Sequence, residues 1–393
     1  MKSRLFNIIL LTCVCFASNI IFASQIRLAT FNCSFYRQTQ AGLIHDLSTD
    51  DNQQAINVSK LISKVKPDIL LLNEFDYDQN QLALKLFEKN YLTKNSIHYP
   101  YSFTAPVNTG IPTGMDLNND GKTNGGADAY GYGIFPGQYG MVVLSKYPIV
   151  TEKVRTFQNF LWKDMPTASL PDDMTTVTPG DWFGPEELAI FRLSSKSHWD
   201  IPIDVNGTII HILVSHPTPP VFDGPEDMNG KRNHDEIKFW ADYISPDTGK
   251  YIYDDNKVYG GLKPNDLFAI MGDQNADPID GQTFNNAIDQ LLNHPLITDP
   301  LPSSKGAMEA SQQQAGINLN HKNDPKLDTY QCDRPGQAPG NLRLDYVLVS
   351  KQFEVAAANV YWPTREGIIN DADNLPISKC SDHHMVYVDV KIP

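Results

Sequence analysis

Apolar runs along this chain repeatedly stop on side chains suited to metal or phosphate chemistry. These are Asn32, Glu74, His216, Asp273 with Asn275, Asp345, and Asp382 with His383. A single carboxylate after an apolar run is usually a turn former or helix cap, and a lone histidine is usually structural or solvated. The repetition is what carries information. If the runs are strands that share a sheet, their ends converge on one rim. Carboxylates gathered there repel one another and need a cation or a shared proton. A hard divalent ion held by oxygen ligands fits this donor set. No Cys/His cluster has zinc spacing, and no Gly-x-x-x-x-Gly-Lys phosphate loop is present.

The elements that must position these residues can be read from periodicity. Ile26–Phe31 alternates like a half-buried strand. Residues 54–66 place Ile56, Val58, Leu61, Ile62 and Val65 at helical spacing, and Pro67 closes that helix. Asp68–Leu72 is a short apolar run read as a buried strand ending at Asn73-Glu74. Met141–Ser145, Thr208–Val214, Leu267–Met271, Leu342–Val349 and His384–Val390 read as further strands, and 228–243 as a helix with a polar face. Residues 105–138, rich in Gly, Asn, Asp and Pro, and the irregular stretch 157–187 read as long insertions. Loops of that length are usually functional or disordered. No repeat period appears and strand signals continue through every long loop, so residues 25–393 are expected to form one α/β domain.

Composition excludes several classes. With 393 residues, 41% hydrophobic and 10% aromatic, the chain can bury a sizeable core and is not generally disordered. After residue 30 no apolar run approaches the roughly 20 residues of a membrane span, so no stable membrane insertion is expected. The net charge of −14 argues against gripping nucleic acid through a broad basic face. Residues 1–24 open with Lys2 and Arg4, continue through an apolar stretch and end on Ala23-Ser24. They read as a secretory signal peptide, with a membrane anchor as the alternative. The protein is therefore expected in the periplasm or the medium. Three of the five cysteines then remain, Cys33, Cys332 and Cys380. Export permits a disulfide, and Cys332–Cys380 is the preferred pair; three buried thiols are the alternative.

Seven segments come in a telling order: Thr30-Phe31-Asn32, Leu72-Asn73-Glu74, Tyr139–Lys146, Ser215-His216, Gly272-Asp273-Gln274-Asn275, Arg343-Leu344-Asp345-Tyr346 and Ser381-Asp382-His383-His384. Each is short, but together they resemble the endonuclease/exonuclease/phosphatase superfamily over about residues 26–393. The resemblance implies an α+β fold, a four-layer α-β-β-α sandwich of two packed mixed sheets with long loop insertions. It implies a hydrolase of phosphate esters that uses Mg²⁺ or Mn²⁺. Glu74 is then the main metal ligand, with Asn32 and Asp382 completing the site. Asp273 orients or deprotonates the attacking water, and Asn275 donates to a phosphoryl oxygen. His383 contacts the phosphate or moves a proton, and Asp345 fixes its tautomer. His216 is similar to a phosphate-contacting histidine of the deoxyribonuclease-like members, although the following Pro217-Thr218-Pro219-Pro220 is not general to the family.

Two further segments invite functional readings. Asp116, Asn118, Asp120 and Asn124 stand at positions 1, 3, 5 and 9 of a calcium-loop pattern, with Gly121 at position 6. The twelfth position is Ala127, with Asp128 one residue later. A structural Ca²⁺ site and a turn-rich solvated loop both fit. Arg192–Asp200 precedes a strand and is dense in phosphate-friendly donors. Lys196 and His198 there, and Arg232 near the start of the later helix, are candidate substrate contacts. The competing reading is a surface loop over Trp199 and a solvated helix start.

The first reading is thus an exported, metal-dependent phosphoesterase, expected to be a monomer. Its phosphate ester could belong to nucleic acid, a lipid head group or a small molecule. The second is a non-catalytic module of the same fold that holds phosphorylated ligands, with calcium stabilising its loops.

Overall fold

The computed structural model describes residues 25–370 and 379–393; the expected signal peptide lies outside them. Twelve strands among these residues form two sheets. They are β1 (Gln25–Phe35), β2 (Ile69–Phe75), β3 (Tyr101–Phe103), β4 (Met141–Ser145), β5 (Arg155–Thr156), β6 (His198–Val205), β7 (Thr208–Ser215), β8 (Leu267–Asp273), β9 (Ile297–Thr298), β10 (Asp345–Ser350), β11 (Glu354–Val360) and β12 (Val386–Lys391). The first sheet has the order β11-β12-β1-β2-β4-β3 and the second β5-β6-β7-β8-β10-β9. Each is mixed: β1 and β2 are parallel, as are β7 and β8, and the remaining neighbours are antiparallel.

Side-chain alternation builds the layers. Leu28, Ile69, Leu71 and Val143 of the first sheet meet Ile201, Ile212, Val214, Met271 and Val347 of the second in one buried core. Ala29, Phe31, Leu70, Leu72 and Val142 point the other way and are covered by Val58, Leu61, Ile62 and Val65 of helix Gln53–Val65. Leu213, Ile270, Tyr346 and Leu348 on the outer face of the second sheet are covered by Ile237, Trp240 and Tyr243 of helix Met228–Tyr243. The result is the four-layer α-β-β-α sandwich. Ile69–Leu72 is continuously apolar because both faces of β2 are buried.

Strand directions create the rim. β1, β2, β7 and β8 run toward one edge, and their antiparallel neighbours β10 and β12 begin there. Asp345 at the start of β10 therefore sits directly opposite Asp273 at the end of β8.

Two expectations need correction here. The Cys332–Cys380 link is not formed; Cys33, Cys332 and Cys380 are free, buried thiols. Cys380 packs in the core beneath the first sheet, whereas the Cys332 thiol faces the carbonyls of Arg334 and Gln337. The helix Met228–Tyr243 does not turn its polar face to water. Arg232, Asn233, Asp235 and Glu236 are buried on it. No helix of the described residues is long and apolar enough to cross a membrane.

Candidate active site

A backbone irregularity aims the first group. Between Asn32 and Phe35 the pairing of β1 with β2 slips, so that Cys33 and Ser34 stand against Glu74 alone. Ser34 and Glu74 both take left-handed backbone angles, φ 51° and 58°. Such bulges re-aim side chains at sheet ends, and left-handed backbone at a non-glycine residue is strain typical of functional sites. The Asn32 amide donates to Asp273 Oδ2 at 3.1 Å, reaching from one sheet to the other. Asn73 ties the sheets beside it: its Oδ1 accepts from the Asp273 amide (3.3 Å) and its Nδ2 donates to the Ser215 carbonyl (3.4 Å).

Asp273 is the centre. His216 Nε2 lies 3.5 Å and His383 Nε2 3.7 Å from its Oδ2, and its Oδ1 accepts from the Asn275 amide at 2.9 Å. Gly272 before it has φ 147°, and a Cβ there would come within 2.1 Å of the Ser215 carbonyl, so only glycine lets β8 pass this close to β7. Behind His383, Asp345 Oδ2 accepts from Nδ1 at 2.8 Å and from the Thr329 hydroxyl at 2.8 Å. That contact puts the imidazole proton on Nδ1 and turns Nε2 toward Asp273. Thr329 Oγ1 also accepts from the amides of Leu344 and Asp345.

The two histidines at this carboxylate differ in charge. Burial pulls His383 down, but Asp345, Asp273 and Asp382 together hold it well above the ordinary imidazole range. Burial, with Lys196 and His383 adding repulsion, holds His216 well below it. Burial pushes Glu74 up to about 7 against the pull of His383 and of Asn32, and the carboxylates of Asp382 and Asp273 add to the rise. Burial likewise pushes Asp273 up to about 6; His383 opposes this and Asp345 reinforces it. Two crowded carboxylates that burial and one another push up are the signature of a site that lacks countercharge, so the oxygen donors here fit a divalent cation. Asp273, Asp345 and His383 also form the one group of three metal-capable side chains within mutual reach among the described residues. His383 Nδ1 is engaged by Asp345, so this group reads better as a proton chain than as a ligand set.

Glu74, Lys196, His216, Arg232, Asp273, Asn275 and His383 line one cavity of about 740 Å³. Asn32 and Asp345 stand behind it. Asp382 is exposed at the rim, where Ser34 and Ser381 donate to it. Asn275 Nδ2 donates to the Pro217 carbonyl at 3.1 Å, which leaves its second amide hydrogen for a ligand. Lys196 is buried, and its ammonium has one long contact, 3.5 Å to the Pro217 carbonyl. Burial lowers its pKa while Glu236, Glu74 and Asp273 resist.

Several expected site residues lie elsewhere. His198 is buried outside the cavity, between Ser194 Oγ and the Glu236 carbonyl, against Phe239 and Trp240. Burial pushes it down to about 3, so it is a neutral core histidine. Arg232 reaches the cavity wall, but its guanidinium donates to the carbonyls of Tyr130, Leu193 and Arg192. Through Nε and Nη2 it pins the 105–138 insertion to the second sheet. In the calcium-loop pattern the carboxylates take backbone amides. Asp116 accepts from the amides of Asp120 and Gly121, and Asp120 from that of Lys122. Asp128 is buried and accepts from Leu117 and Gly125, Asn124 is exposed, and Asn118 turns to the cavity. Asp116 and Asp120 cap their own turns, whereas Asp128 reaches back across the loop to Leu117.

Residues that strand-end reasoning missed hold the loops in place. Glu236 Oε1 accepts from the Ser195 amide and Oε2 from the Thr218 amide, both at 2.6 Å. Asn233 Nδ2 donates to the carbonyls of Thr218 and Gln274. These two side chains order the segments that carry Lys196, His216 and Asn275. The signal was Arg232-Asn233 followed by Glu236, polar residues sharing a helix face one turn apart.

The model of the Endonuclease/Exonuclease/phosphatase family matches residues 29–383. An endonuclease/exonuclease/phosphatase from Beutenbergia cavernae DSM 12333 superposes with TM-score 0.51 at 15% identity, over 94% of this chain and 72% of that one. A family protein from Leptotrichia buccalis gives TM-score 0.46 at 14% identity, over 93% and 100%. TDP2 from Caenorhabditis elegans gives 0.45 at 13%, over 94% and 75%. No curated protein matches by sequence.

Proposed function

Because the chain belongs to the endonuclease/exonuclease/phosphatase family, whose members are generally metal-dependent phosphoesterases, we propose that it is an exported hydrolase of phosphate esters working by in-line attack of an activated water. The observation that carries this reading is the convergence of Glu74, His216, Asp273, Asn275 and His383, from both sheets, on one cavity.

Glu74, Asn32 and Asp382 would hold Mg²⁺ or Mn²⁺. When bound, the ion supplies positive charge against the phosphoryl oxygens and lowers the repulsion among these acids. Asp273, hydrogen-bonded by Asn32, aligns the attacking water and draws its proton. His383, fixed by Asp345, keeps a proton at Nδ1 and offers Nε2–H to the phosphate or to the departing oxygen. His216 remains neutral at ordinary pH, and its Nδ1 has no partner. It therefore contributes hydrogen bonds rather than charge. Asn275 and Lys196 add donors for the phosphoryl oxygens, and charge spread over those oxygens is what fixed donors stabilise best.

The deciding experiment is hydrolysis by residues 25–393 with Mg²⁺, Mn²⁺, Ca²⁺ or EDTA. Plasmid DNA, p-nitrophenyl phosphate, bis-p-nitrophenyl phosphate, sphingomyelin and inositol phosphates form the panel. Turnover should require metal and disappear in His383→Ala. A folded chain that binds these esters without turning any over would instead be a phospho-ligand-binding module.

A further inference from the structure

The cavity is lined by two chemically distinct sets of residues. One is the rim set of Glu74, Asp273, Asn275, His216 and His383. The other is a wall of Tyr132, Ala127 and Ala129 from the 105–138 insertion, with Phe222 from the loop after β7 and Met228 from the helix that follows. Tyr132 is 66% exposed and Phe222 96% exposed. Phe222 also sits on left-handed backbone, φ 63°, which a bulky aromatic residue adopts only where its surroundings enforce it. Those surroundings are visible. Asn229 Nδ2 donates to the Val221 carbonyl on one side of Phe222. On the other side the Asp223 carboxylate accepts from the amides of Asn229 and Gly230. The loop is thus anchored on both sides of a ring that no ring among the described residues stacks upon.

Charge limits what can enter. Lys196, Arg232 and the protonated His383 are the cations lining the cavity; His383 stands at the rim, and Arg232 gives Nε and Nη2 to backbone carbonyls. The wall beside Phe222 instead carries Asp223 and Glu226. One phosphate finds donors at the rim; a second phosphate farther out would meet carboxylates. A cavity of about 740 Å³ lies within the usual range for small-ligand sites, roughly 300–1,000 Å³.

Building on the phosphoesterase reading above, we propose that Tyr132 and Phe222 form a specificity subsite for the organic group of the substrate. The substrate is then a small ester of a single phosphate whose alcohol carries an aromatic ring, not a polynucleotide or a polyphosphorylated sugar. The ring packs against Tyr132 and Phe222, while the phosphate reaches Asn275, His216 and Lys196.

The test separates the subsite from the chemistry. Phenylphosphonate and methylphosphonate share the phosphate-like head and differ by the ring, and neither is hydrolysed. Calorimetric titration of residues 25–393 with Mg²⁺ present should find phenylphosphonate bound about tenfold more tightly. Phe222→Ser and Tyr132→Ser, both at exposed positions, should bring the two ligands to within about threefold of each other and leave methylphosphonate binding unchanged. A ratio near one in the unaltered protein would overturn the subsite, as would a ratio that both variants preserve. Tighter binding of a single-stranded oligonucleotide or of inositol hexakisphosphate than of phenylphosphonate would overturn it too. Hydrolysis of p-nitrophenyl phosphate, run separately, tests the parent reading. No turnover with the binding ratio intact would remove the reaction and leave the subsite standing.

Discussion

The rim and the wall of the same cavity are built on opposite principles. The rim stands on strand ends. Its polar side chains are buried and cross-linked: Asn32 to Asp273, Asp345 to His383 and Thr329, and Asn73 to both sheets. It concentrates acids in a place short of countercharge. The wall stands on loops, with Tyr132 of the 105–138 insertion and Phe222 of the loop after β7 exposed. Reaction geometry needs side chains held within fractions of an ångström, and hydrogen-bonded strands supply that. Selectivity needs a surface that varies without disturbing the core, and loops supply that. Changes at the rim should therefore be costly for turnover, whereas changes at the wall should alter only which ester binds.

The largest break in that contrast comes from Asp273→Asn. The side chain keeps its size but loses its basicity and its charge. Turnover of whichever ester is cleaved should fall by about 10³–10⁴-fold, with the circular dichroism spectrum unchanged. Asp345→Asn should cost less, about 10²-fold, because His383 stays in place while its Nδ1 proton faces a neutral acceptor instead of a carboxylate. A rate within twofold of the parent in either case would contradict the proton chain. Metal dependence is next in size. Saturating Mg²⁺ should raise the unfolding temperature of the parent protein, since ligand binding stabilises by mass action, and should not raise that of Glu74→Gln. Equal stabilisation of both would move the ion away from Glu74.

Most of the rim was legible before any coordinates, because each chemical residue ended an apolar run. Strands, being periodic, also gave away their ends: Met141–Ser145 and the helix over 228–243 fall where periodicity puts them. The errors share a cause. His198 opens β6 and takes its direction from that strand, whereas Lys196 lies in irregular backbone before it, so their spacing of two says nothing about a shared face. Lys196 lines the cavity, while His198 turns into the aromatic layer under helix Met228–Tyr243. Arg232 reads from sequence as a substrate contact or a solvated helix start, and Glu236 draws no reading, because long-range partners are invisible in sequence; each binds backbone groups of segments far along the chain. Cys332 and Cys380 failed to pair because spacing says nothing about where each thiol is buried.

A smaller effect tests the support behind both regions. Glu236→Gln keeps one acceptor but points a donor at an amide, leaving either the Ser195 or the Thr218 N–H unpaired. A buried charge-assisted bond lost in this way costs about 2–3 kcal/mol. The urea midpoint should fall accordingly, and KM should rise because Lys196 and His216 lose their common anchor. A variant as stable as the parent would mean that the loops hold themselves.

The smallest expected effect asks whether crowding of acids extends behind the rim. Asp328 is buried next to Thr329, whose hydroxyl holds Asp345. Burial, then Asp277, Asp280 and Asp324, pushes the Asp328 carboxyl up to about 8. The folded chain therefore keeps a proton that the unfolded chain has released above about pH 4. Stability contributed at this position is greatest below about pH 4 and is lost as pH climbs toward 8, because the folded state binds the extra proton. Asp328→Asn removes the titration without removing volume. Unfolding temperatures of variant and parent should coincide near pH 4, separate in the variant's favour as pH rises to 8, and run parallel above it. The gap at pH 8 should be on the order of 1–2 kcal/mol once water penetration is allowed for. Parallel curves from pH 4 upward would show an ordinary carboxyl, and the crowding would then be confined to the reacting rim.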